Sequence, residues 1–473
     1  MTWTSADSNR DRARTVLCAA LFVAWCAAPA AAAPQAGHTP PEVERTLVRP
    51  APAGAPQGTV RLTLADAIAR GMDASHRLAE MRAREAVAQA SLDGQAAEKM
   101  PQLGVQAGYQ RTAHVEPFGI AMSGSGPKII YPDIPDNFHT RVDFEWPIYT
   151  AGRVDAMARA AKAELDAVGK DLLAARNDLK LEIGRAFWAV VTAREAEGVV
   201  AQALANVDAH LRDVRNRQAA GLVPPSDVLS TEALRSRQQV LLIQARHATD
   251  SVSAELRRLV GLDPGTPVEP DARLDQPSGP AAAADALVGE ARKSRADRQA
   301  IEIRLVSLDA RSQAARAGKW PVIGVGAGFD YARPNPKIFP REAAWQPFWD
   351  VGVSLSWTFW DGGRVAASVA QAEASRAALE ERLKEYDSVL DVEVRQRLLD
   401  LDSAHAEVTA ASDGIRAAAE ARRVVEERFK AGVAINTEVL DAQQALLQAE
   451  LERTRALADV RLAEARLDRA IGR

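Results

Sequence analysis

Glu438 and Asp441 are the residues whose type and spacing most invite a chemical role in this 473-residue chain. They stand three apart in "NTEVLDAQQ", so a helix places both carboxylates on one face. Such a pair can draw cations toward an opening. It can equally be a solvated helix start, where acids suit the backbone dipole. Asp227 holds the matching place in an earlier copy of the stretch, "AGLVPPSDVLSTEA", where Ser230 replaces the second acid.

Catalytic chemistry finds no support. His38, His76, His114, His139, His210, His247 and His405 are scattered and form no metal-ligand spacing. Neither a nucleophile elbow nor a paired catalytic carboxylate pattern occurs. Cys18 and Cys26 both lie in the N-terminal segment, leaving no later cysteine for a disulfide or a thiolate metal site. The chain is therefore expected to be no enzyme and to hold no cofactor and no metal. A formal charge of −4 gives a nucleic-acid partner no electrostatic footing.

The elements that must position the acids are long helices. Residues 1–33 read as a signal peptide: Arg10, Arg12 and Arg14, then the apolar "TVLCAALFVAW", then small residues. Trp25 before Cys26 argues against lipid attachment there. Residues 34–60 form a Pro/Ala-rich leader. Two helix-hairpin-helix repeats follow, 61–263 and 285–473, with a linker at 264–284. Three landmarks keep their order in both repeats. "WPIYTAGRV" recurs as "WTFWDGGRV", and "AGLVPPSDVL" as "AGVAINTEVL", each 211 positions on; "MPQLGVQAGYQ" recurs as "WPVIGVGAGFDY". After each junction comes a proline-free run of about 70 residues, about 105 Å of helix.

Each repeat also carries two stretches with period-two alternation. Leu103, Val105, Ala107 and Tyr109 share one side; Val142, Phe144, Trp146 and Ile148 another; Val351, Val353, Leu355, Trp357 and Phe359 another. Strands of about ten residues with one apolar and one polar face can span a bilayer. "GVGAG" at Gly324–Gly328 lies within a strand pattern with no helix opening after it, so it is read as a glycine run on a barrel's inner face rather than a nucleotide loop. Four strands cannot close a barrel, and open edges cannot sit in lipid, so copies must combine. Two copies give a filled eight-stranded barrel, three a twelve-stranded one with a passage. Trp146, Trp357 and Trp360 are expected at the membrane interface. Gly152, Gly362 and Gly363 are expected to turn strand into helix.

The ordered set of "LTLADAI", the two Pro-then-strand steps, the two junctions and the two hairpin tips resembles the TolC-like outer membrane efflux proteins, also called outer membrane factors. The resemblance covers roughly 61–473. It implies a membrane α/β-barrel fold: a homotrimer with a 12-stranded barrel in outer-membrane lipid and a 12-helix periplasmic tunnel. It implies a passive exit duct for a tripartite efflux or type I secretion system. A periplasmic adaptor and an inner-membrane pump, proton-driven or ATP-driven, would be its partners. Because the chain ends soon after the last helix, the proton-driven pump is the preferred expectation.

The resemblance places Glu438 and Asp441, with Asp227 as the first-repeat counterpart of Glu438, at a periplasmic constriction. It makes Gly221, Leu222, Gly432 and Val433 adaptor-docking tips. The family's arginine lock, two residues past the tip glycine, falls on Ala434, so any closed-state lock here must be built differently. An exported trimeric helical stalk and a general diffusion porin are the competing functions. The stalk leaves the alternating strands unexplained, and the porin does not need such long helices.

Overall fold

In the computed structural model, residues 59–122, 125–275 and 283–473 are described. The expected signal peptide, Cys26 and nearly all of the leader lie outside them. The strands are β1 Val60–Leu62, β2 Gln102–Arg111, β3 Phe118–Met122, β4 Ser125–Tyr131, β5 Asp136–Tyr149, β6 Val268–Pro270, β7 Val322–Arg333 and β8 Gln346–Ser356. The helices are α1 Leu64–Ala74, α2 His76–Ala97, α3 Arg153–Ala219, α4 Pro225–Leu259, α5 Ala284–Ser294, α6 Ala296–Ala317, α7 Arg364–Lys430 and α8 Asn436–Ile471.

The helices of the two halves match one for one. Each half starts with an 11-residue helix and a 22-residue helix, then strands, then a 67-residue helix, about 100 Å at 1.5 Å per residue. Each ends in a returning helix of 35 or 36 residues. These runs stay helical because they lack interior proline, Pro225 standing only in the first turn of α4, and place apolar residues three and four apart. Ile183, Phe187, Val190 and Leu256 fill one core, while Leu390, Val394, Leu467 and Ile471 fill its counterpart. The four long helices form a row α4–α3–α8–α7, with α4 and α7 at its ends.

The main sheet has the order β2-β5-β7-β8, antiparallel throughout, so the two halves' hairpins pair through β5 and β7. Its register sorts the faces. Leu103, Phe144, Ala327 and Val351 form one transverse row and Val105, Val142, Phe329 and Trp349 the next. Val105 and Val351 are 65% exposed, so this apolar face is open in the single chain. The opposite face carries Gly104, Asp143, Gly328 and Asp350, then Gln106, Arg141, Asp330 and Phe348. The glycine run thus lies on the polar face, as its strand pattern implied.

Some features depart from the sequence reading. The Gly/Pro-rich segment after β2 holds the hairpin β3–β4. β1 pairs in parallel with β6, inside residues 264–284. Three-residue strands carry no periodic signal, which is why both were silent. Strand β8 stops at Ser356, so Trp357 and Phe359 lie beyond the ladder. The Trp357 indole N–H donates to the Lys319 carbonyl at 3.1 Å, drawing the chain toward the start of β7. Among the described residues no helix is long and apolar enough to cross a membrane.

Candidate functional site: strand–helix junctions and hairpin tips

Each junction turns on left-handed glycines. Gly152 (φ 76°) is the N-cap of α3, following Ala151 at φ 52°. Gly363 (φ 90°), after Gly362 (φ 65°), is the N-cap of α7. A glycine N-cap offers no side-chain acceptor for the first helical amides. In the second half Asp361 supplies it: its carboxylate accepts from the Gly363 N–H at 2.9 Å and the Val365 N–H at 2.7 Å. These amides hold its pKa below the usual carboxylate value. Thr150 stands there in the first half and offers its backbone carbonyl to the Arg153 N–H, 2.9 Å.

Both junctions share an indole staple. Trp146 donates to the Lys99 carbonyl at 3.1 Å, matching Trp357 on Lys319. Each ties the last residues of a strand to the entry of its hairpin partner. Trp360 has no such bond and is 82% exposed. At the far end of the strands a second aromatic group runs Tyr109–Phe138–Trp345–Tyr331, with ring centroids 4.9, 5.9 and 5.0 Å apart.

The hairpin tips close with the same device. Gly221 (φ 74°) and Gly432 (φ 76°) sit just past α3 and α7. Leu222 N–H bonds the Arg217 carbonyl and Val433 N–H the Arg428 carbonyl, both 2.9 Å, the Schellman pattern that glycine permits. Leu222 and Val433 are exposed. Glu438 lies in the first turn of α8, half-buried, with Arg428 Nη1 3.6 Å from its carboxylate. Asp441, one turn on, is exposed. Ala434 packs beside the apolar cluster of Leu211, Val214, Phe429 and Val439.

Asp227 is placed differently from Glu438. Its carbonyl is the hub of a latch between the tips. Asn436, 2% exposed, donates through Nδ2 to the Asp227 carbonyl, Ser230 Oγ and Thr231 Oγ1, each 3.1 Å away. Ser230 and Thr231 hydroxyls donate to the same carbonyl at 3.0 and 2.7 Å. His210 Nε2 lies 2.8 Å from Asn436 Oδ1. Arg217 crosses from α3 to the Phe429 carbonyl (3.3 Å) and lies 4.8 Å over its ring. Sequence reasoning missed Asn436, Arg217 and His210. Aligning the tips was the available signal, since Asn436 falls opposite Pro225, the first residue of α4.

The family model described as outer membrane efflux protein matches residues 70–262 and 287–473. The chain is 25% identical to Protein CyaE of Bordetella pertussis (strain Tohama I) over 67% of its own length and 68% of that protein's. It is 27% identical to the outer membrane efflux protein BepC of Brucella suis biovar 1, over 61% of its length and 62% of BepC's. The solved outer membrane protein VceC from Vibrio cholerae superposes with a TM-score of 0.70 at 19% identity, covering 86% of this chain and 96% of that one.

Proposed function

Because the chain belongs to the outer membrane efflux protein family, a family of outer-membrane channels without enzymatic chemistry, we propose that it is the exit duct of a tripartite efflux or type I secretion system. In this reading three copies close a 12-stranded barrel and continue it as a 12-helix periplasmic tunnel. An inner-membrane pump and a periplasmic adaptor deliver the cargo, and the duct conducts it passively. Members of the family typically work with such partners.

One observation carries the reading. A four-stranded sheet with an exposed apolar face and unpaired edges at β2 and β8 grows directly into 67-residue helices. Unpaired backbone at a lipid-facing edge costs several kcal/mol per group, so the edges need partners. A second copy supplies them by placing its β8 beside β2. Twelve strands leave a passage where eight would fill their own interior. The end helices of the row carry exposed apolar residues as well, Val240 and Ile243 on α4 and Val389, Val392 and Leu399 on α7. They suit packing between copies.

Glu438 and Asp441, three times over, would ring the periplasmic opening and favour cations. Asp227 contributes there through its backbone, as the hub of the latch. Gly221, Leu222, Gly432 and Val433 would present the tips to the adaptor. Gly152, Gly362 and Gly363 would mark the membrane's periplasmic boundary, with Trp146, Trp357 and Trp360 in its interfacial belt. The Asn436 latch and the Arg217–Phe429 contact would stand in for the lock that Ala434 lacks.

The test is planar-bilayer recording on purified protein, with its mass measured in detergent. A trimer with a small, cation-preferring conductance is expected. A folded, inserted protein that passes no current would overturn the duct in favour of a helical stalk. A large conductance at rest would favour a diffusion porin.

A further inference from the structure

The polar face of the main sheet carries a group of charges that the hairpin tips do not explain. Arg141 on β5 is its centre. Its Nε donates to Asp143 at 2.6 Å, two residues along the same strand. Its Nη1 donates to Asp330, directly opposite on β7, at 2.5 Å, and to Asp350 on β8 at 3.3 Å. Lys337, from the β7–β8 connection, reaches Asp330 and Asp350, each at 2.8 Å. Two cations thus hold three carboxylates across three strands.

The backbone is shaped for this group. Asp143, Gly328 and Asp350 form one transverse row, so Arg141 must pass over position 328 to reach Asp350. A Cβ at Gly328 would lie 2.2 Å from Arg141 Nη2. A side chain there would have to push the guanidinium out of this pose, whereas a Cβ at Gly326 would meet nothing closer than 3.7 Å. Glu145 lies on the same face, one row nearer the helices, and is exposed.

We propose that this Arg141 clasp is a second charge filter, set in the barrel lumen and separate from the hairpin tips. The inference rests on the duct reading, because the polar face lines a lumen only once copies close the barrel. Asp143, Asp330 and Asp350 outnumber Arg141 and Lys337 by one, so three chains place a residual negative charge at one level of the barrel. The clasp holds that charge low. It admits small cations and cationic cargo while tempering the field that three uncompensated carboxylates per chain would give.

The test is the reversal potential of single channels across a KCl gradient. The Glu438→Ala/Asp441→Ala variant serves as background, so that the tips do not dominate. Arg141→Gln leaves three carboxylates to one cation and should raise the cation-to-anion permeability ratio roughly twofold or more. Asp350→Asn leaves two of each and should lower it. Arg141→Lys, which keeps the charge, should stay near the background and shows whether the barrel tolerates change at this position. Opposite shifts for Arg141→Gln and Asp350→Asn support the filter. Conducting channels whose ratio moves in neither variant overturn it and leave the duct intact. No current from the unsubstituted protein would instead overturn the duct reading, and the filter with it.

Discussion

The two halves of the chain build the same shape with different chemistry. Helix lengths, indole staples and tip glycines recur almost unchanged. The polar contacts at three matched places do not. At the break between the short helices, the first half uses Ser75, whose hydroxyl accepts from the Leu78 N–H at 3.3 Å. The second half places Arg295 there, 5% exposed, with Asp297 at 2.8 and 2.9 Å, Glu393 at 3.1 Å and the Ala470 carbonyl at 3.2 Å. Arg469 joins from α8, 2.8 Å from Asp178 on α3. At the junctions Asp361 faces Thr150. At the tips Asn436 and Glu438 face Pro225 and Asp227. The repeat conserves what sets backbone direction. Two of the second half's contacts also reach the first half, Arg469 to Asp178 and Asn436 to the Asp227 carbonyl.

The largest test of that contrast is at the helix breaks. Arg295→Ala leaves Asp297 and Glu393 without their buried partner and should cost about 3–5 kcal/mol. Ser75→Ala removes one cap and should cost about 1 kcal/mol. Denaturant midpoints of the purified protein compare them, and equal losses would break the contrast. Acid titration sharpens it. Burial pushes the Asp297 carboxyl up, but the hydrogen bonds and charge of Arg295, with Arg469 beyond, outweigh this and hold it at about 2. A depressed folded-state value means its stabilisation is complete above the ordinary Asp value near 3.8. It is lost as pH falls from there toward about 2. The loss should amount to about 2 kcal/mol and be absent from Asp297→Asn.

The junctions give the smallest expected effect. Asp361→Ala strips two amides of their acceptor and should lower the melting temperature slightly, while Thr150→Ala should change little, because Thr150 acts through its backbone. Thermal melting of the two variants decides this, and a larger loss for Thr150→Ala would contradict the asymmetry.

The elements were largely legible in the sequence and the contacts were not. Period two put Val142 and Phe144 on one face of a strand, which leaves Arg141 and Asp143 to the other, and the proline-free runs gave the long helices. Pairing across the repeat is another matter. Arg141 meets Asp330 and Asp350 at separations of 189 and 209 residues, which no local pattern encodes. Glu438 and Asp441 could be placed on one helical face. The approach of Arg428 to Glu438 depends on how tightly the tip turns. Asn436 reads locally as a turn residue, and its latch exists only because the two tips lie side by side. The β3–β4 hairpin was hidden by its own glycines and prolines, which read as loop.

In the proposed duct, Glu438 and Asp441 narrow the opening at the hairpin tips. The most direct measurement is single-channel conductance of the Glu438→Ala/Asp441→Ala variant beside the unsubstituted protein. Conductance should rise and cation preference should weaken in the variant. Unchanged conductance and selectivity would contradict it, and would make Glu438 and Asp441 ordinary residues at the start of a helix.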